Sequence, residues 1–269
     1  ATAAFGAGPG AVRFISGTYR AHVELEETLA RFHGRDAAMA FSSAYATVVS
    51  TIVPLVTEET VLISDELNHN CIINAMRLAR PAGKAIYPHN DVEALDQALT
   101  DWRGKAKRAL VTTDGIFSMR GDHAPLDEIA EVCRAHDEHF EENVVLVVDD
   151  SHGVGAFGET GRGVEEYTGA PPADLLIGTL GKAFGVNGGY VAADAATIRF
   201  LRESSMMYIY SNPITVGEAA AARRSVEIVD SDEGRRLLDR LRRLTRRFEE
   251  GLGRVGIETI PGEHPVVPL

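Results

Sequence analysis

The chain has 269 residues, 45% of them hydrophobic, and a formal net charge of −12 at pH 7. It can therefore bury a large core, as one large domain or as one domain and part of another. The acidic balance argues against nucleic acid or an anionic membrane surface as the main partner, and no apolar run is long enough to span a membrane.

Several short apolar runs end in small or acidic residues, and segments with helical periodicity separate them. Continuous apolar runs are typical of parallel strands that are buried on both faces. The predicted strands cover residues 61–65, 109–114, 143–150, 174–179 and 188–193. Helical spacing predicts helices in the segment before Gly34 and over residues 125–136. This alternation predicts an α/β fold, a mostly parallel central sheet with crossover helices.

The pattern changes near residue 229. A long helix follows, with leucines and Phe248 at helical spacing on one side and many arginines on the other. The arginines indicate a solvated helix face rather than an anion site. Residues 255–260 then predict a strand. We therefore expect a large domain over residues 1–228 and the beginning of a smaller C-terminal α+β domain over residues 229–269.

The two cysteines, Cys71 and Cys133, lie far apart in unrelated contexts. With no signal-peptide pattern, they predict reduced thiols in a soluble, cytoplasmic protein. The chain starts at Ala1 rather than Met and stops inside an apolar run, so we expect sequence to be missing at both ends.

Lys182 is one of only four lysines, and it closely follows the predicted strand 174–179. Gly181 and Gly185 frame it, and glycines let the backbone approach a ligand closely. A desolvated lysine amine has a lowered pKa and becomes a usable nucleophile or base. From this motif alone, a lysine that reaches solvent from the end of a strand is an equal alternative.

Asp149 and Asp150 end the most apolar predicted strand, and His152 comes two residues later. A partly desolvated aspartate needs a cation or a strong donor, such as a protonated pyridine nitrogen, an arginine or a metal. His152 could donate a hydrogen bond to a ligand oxygen. The alternative is a capping aspartate beside a satisfied histidine. A metal site is not predicted, because no third and fourth ligand follow at a recognisable spacing.

Three further segments lie beyond predicted strand ends, where ligands of α/β sheets gather. His69 could lie flat against a bound ring, although helix capping by Asn68 or Asn70 is the commoner use of such a cluster. Residues 41–46 lead into a helix whose N-terminus could bind an anion. Ser118 follows the predicted strand 109–114.

In combination, these motifs resemble the α-oxoamine synthases, pyridoxal-phosphate (PLP) enzymes of fold type I. The resemblance covers essentially the whole chain, in the right order. It is carried by segments 13–18, 22–26, 41–43, 64–69, 113–119, 148–155, 158–163, 178–185 and 210–213. It implies PLP as the cofactor and a homodimer whose active sites lie at the subunit interface.

The resemblance also implies a role for each matching residue of the ring site. Lys182 forms the Schiff base with the cofactor aldehyde and then removes the Cα proton. Asp149 holds the proton of the pyridinium nitrogen, which makes the ring an electron sink. His69 stacks on the ring face, and His152 binds the ring hydroxyl oxygen, near which Ser118 assists.

The phosphate site is implied in the same way. The phosphate is bound by Thr179 and by backbone amides around Ala44 and Tyr45, with Ser43 in the same cofactor-binding segment. Ser211 of the partner subunit completes the site.

The implied reaction joins glycine, or another small amino acid, to an acyl-CoA. Within the family, segments 13–18, 24–26 and 150–152 are most like glycine C-acetyltransferase. The alternative is 8-amino-7-oxononanoate synthase or another synthase with a different acyl donor. A PLP lyase or aminotransferase and a non-catalytic subunit are further alternatives, and the retained Lys182 argues against the last. Ala44 and Thr47 depart from the usual residues of the cofactor loop, and Asn70 and Cys71 depart from the usual pair after His69. These departures leave a specialised acyltransferase open.

Overall fold

A seven-stranded sheet with helices on both faces organises the chain in a computed structural model that describes residues 1–260, 262 and 264–269. The strands are β1 (Ala37–Phe41), β2 (Thr60–Asp65), β3 (Gly83–Tyr87), β4 (Arg108–Asp114), β5 (Ile116–Phe117), β6 (Asp122–His123), β7 (Asn143–Asp149), β8 (Leu175–Thr179) and β9 (Gly189–Ala193). The α-helices are α1 (Thr2–Phe5), α2 (Arg20–His33), α3 (Ala44–Leu55), α4 (Asn70–Leu78), α5 (Val92–Trp102), α6 (Leu126–His136), α7 (Val164–Thr168), α8 (Ala195–Ser204), α9 (Met206–Ile209), α10 (Val216–Val229) and α11 (Asp232–Arg254). Arg13–Gly17 forms a π-helical turn and Asp137–His139 a 3₁₀ turn.

The sheet has the strand order β1-β9-β8-β7-β4-β2-β3, and β5 and β6 form a separate hairpin. The run β8-β7-β4-β2-β3 is parallel throughout, whereas β9 is antiparallel to both β8 and β1. This confirms the predicted α/β class with a mostly parallel sheet. The carboxyl ends of β2, β4, β7 and β8 therefore meet at one edge.

The apolar runs are continuous because both faces of the sheet are buried. In β4, Ala109 and Val111 pack in the cluster that includes Leu95 of α5 and Ile129 of α6. Leu110 points to the other face and packs in the cluster with α3 and α4. All three strand residues have no exposed surface. A strand in this position has no polar face, as the sequence indicates.

The five predicted strands are all present, each within one residue of its predicted bounds. The helix before Gly34 is α2, the helix predicted over residues 125–136 is α6, and the long helix beyond residue 229 is α11. Cys71 and Cys133 are free thiols, as predicted, and both are buried. Within the described part of the chain, no helix has both the length and the apolar character needed to cross a membrane.

The strand predicted over residues 255–260 is wrong. Val255 and Gly256 form a turn, Gly256 has a φ of +77°, and the following residues up to Ile260 are irregular. A strand persists only when a neighbour completes its hydrogen-bond ladder. The Ile260 amide donates to the carbonyl oxygen of Pro268 at 3.3 Å, and among the residues that the structure describes this bond does not extend into a ladder. The domain boundary at residue 228 stays a prediction.

Candidate active site

A pocket opens at the carboxyl ends of the parallel strands, where the sequence predicts a ligand. It brings together predicted residues that are far apart in the chain: Ala44, Tyr45, His69, Ser118, Asp149, His152 and Lys182. They are supplied by the start of α3, the start of α4, the β5–β6 hairpin, the end of β7 and the turn after β8. The sheet edge therefore assembles these residues as the strand-end rule predicts.

Three predicted cofactor-binding residues lie outside the lining of this pocket. Ser43 is the N-cap of α3, and its hydroxyl accepts a hydrogen bond from the Ala46 amide at 3.1 Å. Thr179 is buried, and its hydroxyl accepts from the Gly181 amide at 3.1 Å, which supports the turn that carries Lys182. Ser211 is half-buried and follows α9. The cofactor-binding roles of all three stay predictions.

Lys182 is held in the pocket by a tight turn between β8 and β9. Backbone bonds from Gly185 to the Lys182 carbonyl (3.1 Å) and from Val186 to the Leu180 carbonyl (2.8 Å) close the turn. Gly185 has a φ of +67°, a left-handed conformation that favours glycine. The side chain is exposed to the open pocket. Protein around the amine still excludes part of the water, and this desolvation lowers its pKa despite the opposing charges of Asp149 and Asp114.

Asp149 ends β7 and is 7% exposed. Its Oδ1 accepts hydrogen bonds from the Ser151 hydroxyl at 2.5 Å and the Ser151 amide at 3.2 Å, and its Oδ2 lies 3.7 Å from the Cys71 thiol, which donates to it. None of the salt bridges between described residues involves Asp149. A buried carboxylate with only neutral donors is suited to a cationic group of a ligand.

His69 lines the pocket and also caps α4. Its ring faces the pocket and is exposed, while Nδ1 accepts a hydrogen bond from the Cys71 amide and caps α4. Asn68, by contrast, is not the cap. It is buried, donates to the Ser64 hydroxyl and the Thr112 carbonyl, both at 2.8 Å, and so ties the ends of β2 and β4 together.

Asp150 points away from the pocket and supports the following loop. Its Oδ2 accepts a hydrogen bond from the Val164 amide at 2.8 Å, and the carboxylate packs against the backbones of Gly115, Gly153 and Gly163. A Cβ at any of these glycines would collide with the Asp150 side chain. Of the two adjacent aspartates, only Asp149 lines the pocket.

Four residues that line the pocket were not predicted as site residues. They are the apolar Ile116 and three residues with polar side chains, Cys71, Asp114 and Ser151. Asp114 carried the same signal as Asp149, because each ends an apolar strand. Cys71 and Ser151 follow His69 and Asp149 by two residues, and no local pattern shows that their side chains turn back toward the same pocket.

The chain belongs to the aminotransferase class I and II family, whose model matches residues 3–269. It is 43% identical to the 8-amino-7-oxononanoate synthase of Geobacter sulfurreducens, over 98% of this chain and 66% of that protein. The enzyme of the same name from Symbiobacterium thermophilum is 40% identical, over 100% of this chain and 67% of that protein. The chain thus spans about two thirds of the length of these curated relatives.

Among solved structures, the fold is similar to the serine palmitoyltransferase of Sphingomonas wittichii, with a TM-score of 0.88 and 30% identity over 97% of this chain and 63% of that one. A serine palmitoyltransferase from S. paucimobilis, whose structure holds PLP joined to myriocin, gives a TM-score of 0.89 and 28% identity over 97% of this chain and 65% of that one. These relatives confirm the predicted α-oxoamine synthase resemblance and the PLP fold. They do not single out glycine C-acetyltransferase.

The residues present fit PLP. The first turn of α3 offers the Ala44 and Tyr45 amides, which have no acceptor within the helix and suit a phosphate. Lys182 supplies an amine for the aldehyde, and Asp149 supplies a buried carboxylate for a protonated ring nitrogen. In addition, Oδ1 of Asp114 is buried and has no hydrogen-bond partner among the described residues, as expected of a group that meets a ligand.

We expect His152 to be neutral at pH 7 in the cofactor-free protein. Burial, with smaller contributions from Lys182 and His69, lowers its pKa from 6.5 to about 4. Between these values the unfolded chain binds the proton and the folded chain does not, so stability is lost as pH falls through this window. Ring signals in an NMR titration, assigned with His152→Gln, should give a midpoint near 4. A midpoint at or above 6.5 would contradict the burial argument.

Proposed function

We propose that this chain acts in a PLP-dependent acyltransferase that joins an amino acid to an acyl thioester. The observation that carries the proposal is the convergence of Lys182, Asp149, His69 and His152 on one pocket. The relatives support the acyl-transfer class, since serine palmitoyltransferase is by name an enzyme that transfers an acyl group to an amino acid.

Bound PLP would supply an electron sink for negative charge at the amino-acid Cα. Lys182 would hold the aldehyde carbon and then carry the proton that leaves Cα, because the lowered pKa of its amine makes it a usable base. The Asp149 carboxylate would keep the proton on the ring nitrogen. His152, neutral at pH 7, would donate one N–H to the ring hydroxyl oxygen, and His69 would cover one ring face.

Among the acyltransferases of this type, the relatives favour the 8-amino-7-oxononanoate synthase alternative over glycine C-acetyltransferase. The compound 8-amino-7-oxononanoate bears its amine and its ketone on adjacent carbons. That pattern results when the Cα of an amino acid is acylated and its carboxylate leaves as CO₂. Because C8 also carries a methyl group, we propose alanine as the amino acid and a seven-carbon acyl thioester with a terminal carboxylate as the donor.

The test is a substrate panel on the full chain loaded with PLP. Glycine, alanine and serine are each paired with acetyl-CoA, the seven-carbon dicarboxylic acyl-CoA and palmitoyl-CoA, and thiol release is followed. We expect the alanine and seven-carbon pair to have a kcat/KM at least about tenfold above the others, the discrimination that a pocket gives for matched size and charge. Fastest turnover of glycine with acetyl-CoA would instead restore glycine C-acetyltransferase. Amino-group transfer to an oxo acid without thiol release would indicate an aminotransferase.

We further propose a homodimer acting in the cytoplasm. Met119 and Tyr210 are 87% and 73% exposed, and they adjoin Ser118 and Ser211, two residues with predicted cofactor roles. Large apolar side chains that are this exposed beside a ligand site favour an interface between subunits. The two buried free thiols suit a reducing compartment. Light scattering of the purified chain should give the mass of a dimer.

A further inference from the structure

Asp114 is a second carboxyl group in the pocket, and the acyl-transfer scheme above gives it no role. It ends β4 and pairs in register with Asp149, which ends the neighbouring parallel strand β7. Residues in register on neighbouring parallel strands project to the same side of the sheet. Asp114 is only 7% exposed, like Asp149, and both line the pocket that Lys182 enters.

One carboxyl oxygen of Asp114 accepts a hydrogen bond from the protein, and the other has no hydrogen-bond partner among the described residues. Oδ2 accepts the backbone N–H of His69 at 2.9 Å, and the Asp114 amide itself donates to Oδ1 of Asn68 at 2.7 Å. These bonds fix the start of α4, and with it the ring of His69, to the end of β4. Oδ1 is buried and has no partner among the described residues. A buried oxygen in a pocket wall needs either a proton of its own or a group of the ligand.

The charges around Asp114 determine whether its carboxyl group keeps its proton. Asp149 on β7 and Asp65 on β2 face it with negative charge, Lys182 after β8 faces it with positive charge, and the Cys71 thiol and His69 lie on the α4 side. Burial, followed by the charge of Asp149, raises the pKa of the Asp114 carboxyl well above its ordinary range, while the His69 amide and Lys182 only partly oppose this. Two buried carboxyls side by side do not both ionise readily.

We propose that Asp114 is a positioning residue of the cofactor pocket, a neutral carboxylic acid that holds His69 through Oδ2 and offers the O–H of Oδ1 to the pocket. Asp149 is then the one carboxylate of this in-register pair that bears a charge toward the ring nitrogen. The proposal rests on the PLP site of the proposed function and is independent of which acyl donor is used.

The experiment compares Asp114→Asn and Asp114→Ala with the parent chain by titrating PLP into the cofactor-free protein and following its absorbance. Asparagine keeps an acceptor for the His69 amide and a donor in place of the O–H, so PLP affinity at pH 7 should stay within about threefold of the parent. Alanine leaves that amide without its acceptor, and affinity should fall by about tenfold, the usual effect of losing one such hydrogen bond. Equal losses in both variants would overturn the proposal, because they would mean that a negative charge at position 114 is required.

A second readout needs no cofactor, so it stays informative even if the proposed acyl transfer is wrong. Because the folded-state pKa of Asp114 is raised, the folded protein binds more protons than the unfolded chain above pH 3.8, and stability falls as pH rises through the folded-state pKa. Asp114→Asn should therefore reduce the decrease in Tm between pH 5 and pH 8. An unchanged decrease would show that Asp114 is already ionised and would overturn the proposal.

Asp174→Asn is the matched control. Asp174 lies before β8, its Oδ2 accepts from the Leu146 amide at 2.8 Å, and burial also raises the pKa of this carboxyl. It lines a different cavity, formed with Cys133 and Arg134. This substitution should change the Tm profile with pH while the PLP titration stays that of the parent. A change in PLP affinity here equal to that of Asp114→Ala would count against a local role for Asp114.

Discussion

Lys182→Ala should reduce acyl transfer by about 10³-fold or more, because the same amine both anchors the cofactor and moves the Cα proton. No other lysine can replace it, because the chain has only three others and none of them lines the pocket. They are Lys84, Lys105 and Lys107. The measurement is thiol release at saturating PLP, so that weaker cofactor binding is not mistaken for lost chemistry. Borohydride should link PLP to the parent chain at Lys182 and leave the variant unlabelled.

Lys84→Ala is the matched control for this result. Lys84 is exposed on the edge strand β3, so its removal should change neither labelling nor turnover. The fold should survive in Lys182→Ala, because the turn is closed by backbone bonds and Gly185 rather than by the lysine side chain. A Lys182→Ala chain that folds, binds PLP and turns over at the parent rate would remove Lys182 from the mechanism.

The sequence predicts the part of the site that depends on strand ends. Lys182 and Asp149 each follow a continuous apolar run, and that run is visible because both faces of the sheet are covered. The edge strand β3 is missed for the same physical reason. Its burial alternates, with Lys84 and Ile86 exposed, so it lacks the continuous run of a central strand. The sequence of β9 itself also does not show that this strand is antiparallel, since its direction is decided by pairing with β8 and β1.

The remaining site residues depend on contacts between distant segments. The local sequence favours Asn68 as a helix cap. Its side-chain amide instead donates a hydrogen bond to the carbonyl of Thr112, 44 residues away in the chain. That contact requires the parallel register of β2 and β4, which no single-segment pattern contains. In the sequence, Cys71 is noticeable only because it differs from the residue that is usual in the family. Its position beside Asp149 results from the packing of α4 on the sheet.

Asp149→Ala should lose cofactor affinity and activity together. A hydrogen bond to a charged group is worth about 1.5–3 kcal/mol, so PLP affinity should fall by about 10- to 150-fold. The deletion also leaves the Ser151 hydroxyl without its acceptor in a buried place, which should lower stability by about 1–3 kcal/mol. Affinity is measured by absorbance titration and stability by urea unfolding of the cofactor-free chain. Asp194→Asn, at the exposed N-cap of α8, should leave PLP affinity unchanged.

Asp149→Asn removes the negative charge of the side chain and keeps its size, so it shows the effect of the charge alone. Asparagine can still accept from Ser151, so stability should stay close to the parent, while the ring nitrogen loses the negative charge that holds its proton. At saturating PLP, kcat should therefore fall by about 10²-fold or more, the scale of a lost electrostatic partner in a desolvated site. The same change at Asp114, its in-register neighbour, should leave PLP binding nearly intact at pH 7, because that carboxyl is already neutral there. If Asp149→Asn kept full activity and Asp114→Asn lost it, the charged and neutral roles of the two carboxyls would have to be exchanged.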